Sequence, residues 1–221
     1  MRLSLCAALL ATLALASPAD AAGLSGMGAN LFGNYFNFGG KPNLPKAMVK
    51  GISVAGFRME LQHTKLTQIK KQFGGEIQTQ GGAGTLANWL CYHTDGSNGP
   101  ASNTWFISNI LGGGEFVMIV AVQAADAGRI PADCEAAPKK FKAPELGIPG
   151  LGASLTDLKA KFGGGSGSTI AYRADQPGAD ALGTANNAQY IGYLTSGGRV
   201  TAYGAGETSV PVAPVAPKIS N

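Results

Sequence analysis

The sequence predicts an α+β fold built by tandem duplication, in which each unit is a helix, or a short helix pair, followed by a three- to four-stranded antiparallel sheet. Residues 65–75 and 154–164 are identical at six of eleven aligned positions. The same order of strand and hairpin signals follows both segments. The chain also contains 33 glycines and only 14% charged residues, a composition that favours turns and strands over long solvated helices.

The helix of the second unit has the clearest start signal. Ser154 is a good N-cap, and Asp157 at N3 approximates a capping box and suits the helix dipole. Leu155, Leu158 and Phe162 then fall on one helical face. The glycine that follows Phe162 is a natural stop, so the pattern predicts a short helix whose stability depends on packing.

The helix of the first unit repeats this face with Leu66, Ile69 and Phe73 and stops at Gly74, with Thr64 as the candidate N-cap. Strand signals follow each helix, and the glycines between paired strands supply the positive φ that tight turns require. The predicted first strands are 85–93 and 168–173, and the predicted hairpins pair 104–111 with 116–123 and 189–194 with 199–205.

An N-terminal export signal is indicated by one positive charge, an apolar run and a small-residue site. Arg2 precedes the apolar residues 3–16, and Ala19-Asp20-Ala21 predicts cleavage after Ala21. Cys6 lies inside the apolar run, so a lipid-attachment cysteine is not indicated. We therefore expect a periplasmic or secreted mature protein, with no transmembrane segment after cleavage.

The composition along the chain predicts six regions. They are a signal peptide (1–21), a Gly- and aromatic-rich N-terminal lead (22–49), repeat unit 1 (50–134), a linker (135–142), repeat unit 2 (143–208) and a Pro-rich tail (209–221).

Two cysteines, Cys91 and Cys134, remain after the predicted cleavage. In an oxidising compartment such a pair is most simply a disulfide. The alternative is a catalytic thiol at Cys91 with His93 nearby, although sequence adjacency is poor evidence for a nucleophile and its base.

The opening of the second unit, LGIPGLGASLTDLKAKFG at 146–163, resembles that of the β-lactamase-inhibitor-protein-like group. The small outer-membrane-assembly lipoproteins have a similar opening. The resemblance implies a helix, an aromatic-containing strand and a hairpin in each unit. Residues 59–64 depart from the motif in unit 1, and the cysteines are not a short-range pair in each unit, so no functional residue is carried over.

Chemical motifs are scarce. His63 and His93 are the only histidines and lack zinc-ligand spacing, and no nucleophile elbow or phosphate loop occurs, so the sequence predicts neither an enzyme nor a cofactor. The lysines form no basic stripe with interleaved aromatics, so a nucleic-acid partner is not expected.

The strand aromatics are the best indication of function, because Tyr and Trp are favoured at protein interfaces. We expect a protein-binding module, inhibitor-like or acting in envelope assembly, whose partner is another envelope or extracellular protein. The alternatives are a carrier of a small apolar ligand and a hydrolase using Cys91 and His93. The repeat alignment matches Tyr190 to Phe106. The candidate binding residues are Trp89, Trp105, Tyr190, Tyr193 and Tyr203.

Overall fold

The structure, a computed structural model, describes residues 23–34, 41–82, 85–97, 99–177 and 185–211. The α-helices of these residues are α1 (Gly26–Asn34), α2 (Leu66–Phe73) and α3 (Leu155–Phe162). The strands are β1 (Ile52–Val54), β2 (Phe57–Met59), β3 (Gln78–Gln80), β4 (Ala87–Thr94), β5 (Ser102–Asn109), β6 (Ile119–Ala124), β7 (Glu135–Ala136), β8 (Thr169–Pro177), β9 (Ala185–Ser196) and β10 (Arg199–Pro211).

One eight-stranded sheet dominates the described part of the chain. Its order is β3-β4-β5-β6-β10-β9-β8, with every neighbour antiparallel, and the short β7 pairs in parallel with β4. The strands β1 and β2 form a separate hairpin.

The predicted fold class is wrong, because the molecule is mostly β and does not consist of two helix-plus-small-sheet units. The strands following α2 and those following α3 form one sheet. The junction is the pairing of β6 with β10, from Gln123 opposite Ala202 to Ile119 opposite Gly206. Pairing of this kind removes the two exposed edges that separate small sheets would leave.

The division of the chain into six regions remains a prediction. The predicted signal peptide lies outside the described residues, as do most of the predicted Pro-rich tail and the lead residues 35–40.

The first face of the sheet, face I, carries Leu90, Tyr92, Phe106, Tyr193 and Tyr203 into the larger core. Both α2 and α3 lie over this face, as does the β1–β2 hairpin, and their buried residues join the same cluster. The predicted helix faces are therefore largely confirmed, since Leu66, Ile69, Phe73 and Leu158 are buried, and Leu155 and Phe162 are partly buried against the core.

The opposite face, face II, carries Trp89, Cys91, Trp105, Ile107 and Ala121 into a second, smaller core. Helix α1 covers it with Met27 and Leu31, both of which are buried. The N-terminal lead thus includes a helix packed on the sheet.

Helix α1 fits face II because small and large residues alternate across the contact. A Cβ at Gly28 of the helix would lie 2.8 Å from the Trp105 ring. A Cβ at Gly192 or Gly204 of the sheet would lie 2.7 or 2.4 Å from the Leu31 side chain. Each glycine therefore makes room for a large residue of the other element, and α1 spans strands from both halves of the sheet.

Helices α2 and α3, which both lie over face I, start differently. The Ser154 side chain accepts a hydrogen bond from the Asp157 N–H, the Asp157 carboxylate accepts from the Ser154 N–H, and Gly163 ends the helix in the left-handed region, as predicted. At α2 the N-cap is Lys65 instead of Thr64, because the Thr64 hydroxyl accepts from the Glu60 N–H.

Both outer edges of the sheet are partly covered. Along β8, Asn43 acts as a peptide mimic: its side chain accepts from the Arg173 N–H and donates to the Ala171 carbonyl. At the other edge β3 is three residues long, and β7 pairs with the far end of β4. Short or covered edges disfavour the addition of a foreign strand.

Candidate binding surfaces

The five aromatic residues predicted as binding residues belong to the protein core. Tyr193 and Tyr203 lie on face I, whereas Trp89, Trp105 and Tyr190 point to the opposite side, and none exceeds 6% exposure. The expectation of an exposed aromatic surface is therefore corrected: burial of large apolar area outweighs presentation to a partner.

The two tryptophans share a buried partner, Asp133. The Trp105 indole N–H donates to the Asp133 carboxylate at 2.9 Å, and that of Trp89 donates to the Asp133 carbonyl at 3.4 Å. The same carboxylate accepts hydrogen bonds from the backbone N–H and the hydroxyl of Ser25, at 2.9 and 2.7 Å. Asp133 is 1% exposed, and these donors satisfy its buried oxygens.

The predicted disulfide is confirmed: Cys91 of β4 is bonded to Cys134. Its sulfur is therefore not available as a thiolate, and the hydrolase alternative loses its nucleophile. His93 is buried, with Nδ1 2.8 Å from Asn103 Oδ1 and Nε2 3.3 Å from the Ala127 carbonyl oxygen. Both ring nitrogens thus have structural partners.

Among the described residues, Tyr193 is a buried tyrosine whose hydroxyl has no hydrogen-bond partner. Its buried hydroxyl makes no hydrogen bond, whereas Tyr203 donates to the Pro144 carbonyl and Tyr92 donates to the Gly74 carbonyl. Burial raises the pKa of Tyr193 well above its ordinary value, with smaller contributions from Tyr172 and Tyr203. Burial also raises the pKa of Tyr203, to about 12.

Strand register identifies the residue of the first half that corresponds to Tyr193. Phe106 lies opposite Leu90 in the first half, and Tyr193 lies opposite Ile170 in the second. If Tyr92 and Tyr172 are equivalent, these pairings make Tyr193, and not Tyr190, the counterpart of Phe106. The predicted match of Tyr190 to Phe106 is therefore wrong by three residues, and the second half has a tyrosine where the first has a phenylalanine.

A polar cleft of about 720 Å³ lies between the β1–β2 hairpin and the turn before α2. Five of its eleven lining residues are charged or histidine: Lys50, Arg58, Glu60, His63 and Glu145. An apolar carrier needs an apolar cavity, so this lining does not favour the alternative of a small apolar ligand. Among the described residues, no three His, Cys, Asp or Glu side chains are grouped so as to hold a metal ion.

The exposed apolar side chains lie outside this polar cleft. Among the described residues three large hydrophobic side chains are exposed: Ile110 (45%), Leu111 (56%) and Ile130 (47%). Ile110 and Leu111 are adjacent and lie in the 3-10 turn (Ile110–Gly112) that connects β5 to β6. We call residues 109–116 the β5–β6 tip.

The backbone of the β5–β6 tip is held by hydrogen bonds from the side chains of Asn109 in the tip and Asn88 in β4. The Asn109 side-chain oxygen accepts from the N–H groups of Leu111 and Gly112, at 3.0 and 3.1 Å. Gly113 is left-handed, with φ of 61°. The Asn88 side chain donates to the Gly114 carbonyl at 2.7 Å. These contacts fix the backbone that presents Ile110 and Leu111.

A cation also anchors the base of the tip. Lys65 Nζ lies 2.6 Å from the Glu115 carboxylate and 5.1 Å from the centre of the Phe116 ring. The sequence prediction missed this surface because residues 104–111 were assigned to one strand. The signal was Asn109 followed by two apolar residues and three glycines, a pattern more typical of a capped turn than of a strand end.

No protein-family model, curated protein or solved structure matches this chain. The resemblance to the inhibitor-like group therefore remains a prediction. In the described part of the chain, no helix has the length and apolar character needed to cross a membrane.

Proposed function

We propose that this chain is an exported protein that acts by binding another protein, and that Ile110 and Leu111 are its principal contact residues. The observation that carries the proposal is the exposure of these two adjacent apolar side chains on an internally braced turn. Single exposed apolar residues are ordinary. Ile110 and Leu111 are adjacent and form a contiguous exposed apolar feature, and such features can mark contact sites.

Preorganisation makes the tip a suitable contact element. Because Asn109 and Asn88 already fix its backbone, little conformational entropy is lost when a partner covers Ile110 and Leu111. The partner that fits an exposed apolar pair is a protein with a concave apolar pocket.

The surroundings favour a protein over a lipid surface. Lys65 at the base of the tip is paired with Glu115, so its positive charge is already neutralised and is a weak attraction for anionic headgroups. One outer sheet edge is short and the other is partly covered by Asn43, so side-chain contact is a better route to a partner than strand addition.

Export is the second part of the proposal. The Cys91–Cys134 disulfide supports an oxidising compartment, and the N-terminal residue pattern supports a signal peptide cleaved after Ala21. Mass spectrometry of the protein recovered from its native compartment tests this part, because cleavage predicts a mature chain starting at Ala22. An intact Met1 on the exported protein would contradict it.

The binding surface is tested by capture from an envelope extract with tagged, disulfide-bonded protein. The variants are Ile110→Ser with Leu111→Ser, and a matched control, Ile130→Ser, which removes an equally exposed isoleucine outside the tip. We expect one protein to be enriched by the wild type and the control and lost with the double variant. Equal capture by all three would remove the tip from the proposal.

A further inference from the structure

The N-terminal end of helix α1 is held by a buried carboxylate from a distant part of the chain. Asp133 accepts hydrogen bonds from both the N–H and the hydroxyl of Ser25, the residue before α1, and from the indole of Trp105 beneath the helix. We call Ser25, Trp105 and Asp133 the α1 anchor.

Two further hydrogen bonds hold this end. The Met27 N–H donates to the Gln123 side chain at 2.7 Å, and the Leu24 N–H donates to the Gln80 side chain at 2.8 Å. The rest of the docking is apolar contact of Met27 and Leu31 with face II. Because a nine-residue helix is marginal on its own, its order depends on this docking.

The disulfide holds Asp133 in place. Cys134 follows Asp133 directly, and its bond to Cys91 fixes the end of the 125–134 connection against face II. The Cys134 N–H also donates to the Pro131 carbonyl at 3.0 Å, which closes a turn around Asp133. The carboxylate that holds α1 is therefore one residue from a covalent cross-link, and the Trp89 and Gln78 side chains also donate to the Asp133 carbonyl.

We propose that the Cys91–Cys134 disulfide is a redox switch for the docking of helix α1. When a dithiol reductant transfers two electrons and two protons, the S–S bond breaks, Cys91 and Cys134 each become a thiol, and the reductant forms its own disulfide. The Asp133 turn then loosens, the α1 anchor is lost, and the apolar strip under the helix, which includes Trp105 and Ala121, opens to solvent.

The switch also fixes the order of two maturation steps, because the disulfide must form before α1 docks. While the thiols are reduced, α1 stays undocked, and oxidation after export docks it across both halves of the sheet. Face II is thus completed in the oxidising compartment.

Hydrogen exchange on the full mature chain tests the switch. The amides of Met27–Leu31 in α1 are compared with those of α3, which lies on the opposite face, before and after reduction with dithiothreitol. We expect α1 exchange to rise by about tenfold or more while α3 exchange changes little, the pattern of local opening. Unchanged α1 exchange with both thiols free, or an equal rise in both helices, would overturn the proposal.

A second variant tests the anchor without reduction. Asp133→Asn places a side-chain NH₂ among the donors from Ser25 and Trp105, so we expect faster α1 exchange in the oxidised protein. Trp89 and Trp105, the two tryptophans of the chain, both contact Asp133, so their fluorescence should shift in parallel. Wild-type exchange and fluorescence in this variant would show that Asp133 is not the link between the disulfide and α1.

Discussion

The two halves of the sheet have the same order of elements but different side chains at matching positions. In the first half, α2 is followed by β4, β5 and β6, and in the second, α3 is followed by β8, β9 and β10. On face I, Phe106 corresponds to Tyr193, and on face II, Trp105 corresponds to Gly192. Because α1 lies across both halves, Trp105 packs against Gly28 of the helix, whereas Gly192 leaves space for Leu31.

The largest expected effect comes from filling the space under α1 in the second half. In Gly204→Ala the new Cβ would lie 2.4 Å from both Leu31 and the Val120 carbonyl oxygen, and the strand backbone cannot move away easily. We expect a loss of about 2–3 kcal/mol in the free energy of unfolding, measured by denaturant titration. Gly128→Ala is the control, because nothing lies within 4 Å of its Cβ position, and an equal loss there would contradict the account.

A smaller effect should follow from exchanging the face I residues of the two halves. Tyr193→Phe removes a buried hydroxyl that has no partner, so we expect a gain of about 1 kcal/mol in the free energy of unfolding. Phe106→Tyr should cost about 1–3 kcal/mol, because its new hydroxyl would lie among the rings of Tyr92 and Phe141.

Tyr203→Phe is the matched control for this exchange, because it removes a hydroxyl that donates to Pro144 and should cost about 1 kcal/mol. Thermal unfolding of the three variants measures whether Tyr193→Phe raises stability while Phe106→Tyr and Tyr203→Phe lower it. Loss of stability in Tyr193→Phe would mean that its hydroxyl does have a partner.

The smallest effect concerns the two helix starts. Ser154→Ala removes the side-chain cap of α3 and should cost about 1 kcal/mol. Lys65→Ala at the corresponding position of α2 removes one exposed ion pair and should cost about 0.5 kcal/mol or less. Equal losses would contradict the difference in capping.

The Ser154 effect should also depend on pH. Hydrogen bonds from the backbone and then the hydroxyl of Ser154 lower the pKa of Asp157 below its ordinary value. A lowered pKa in the folded state stabilises the protein above the unfolded-state pKa, about 3.9 for Asp, and this contribution is lost as the pH falls through the folded pKa. The stability difference between wild type and Ser154→Ala should therefore be full at pH 7 and shrink below about pH 4.

Local signals predicted local structure well. The periodicity of Leu66, Ile69 and Phe73, the Ser154 cap and the glycine turns located α2, α3 and the turns of both hairpins, although the strands of the second hairpin, Ala185–Ser196 and Arg199–Pro211, are longer than predicted. The disulfide was also predictable, because the predicted cleavage leaves two cysteines and therefore one simple pairing.

Long-range features were not predictable in the same way. The pairing of β6 with β10 depends on contacts about 80 residues apart, and no local pattern indicates whether two hairpins form two sheets or one. Because both faces of the sheet are covered, the strand aromatics are buried whichever way they point. Trp105 and Tyr193 are therefore buried in the two cores, and the candidate contact surface is the β5–β6 tip.

The most direct test of the proposed function is site-specific photo-crosslinking at Leu111, with Ile130 as the matched position outside the tip. A photoreactive phenylalanine analogue is placed at each position in the disulfide-bonded protein and irradiated in the envelope extract. We expect one crosslinked partner at Leu111 and none at Ile130. The same partner at both positions, or crosslinks to lipid alone at Leu111, would contradict it.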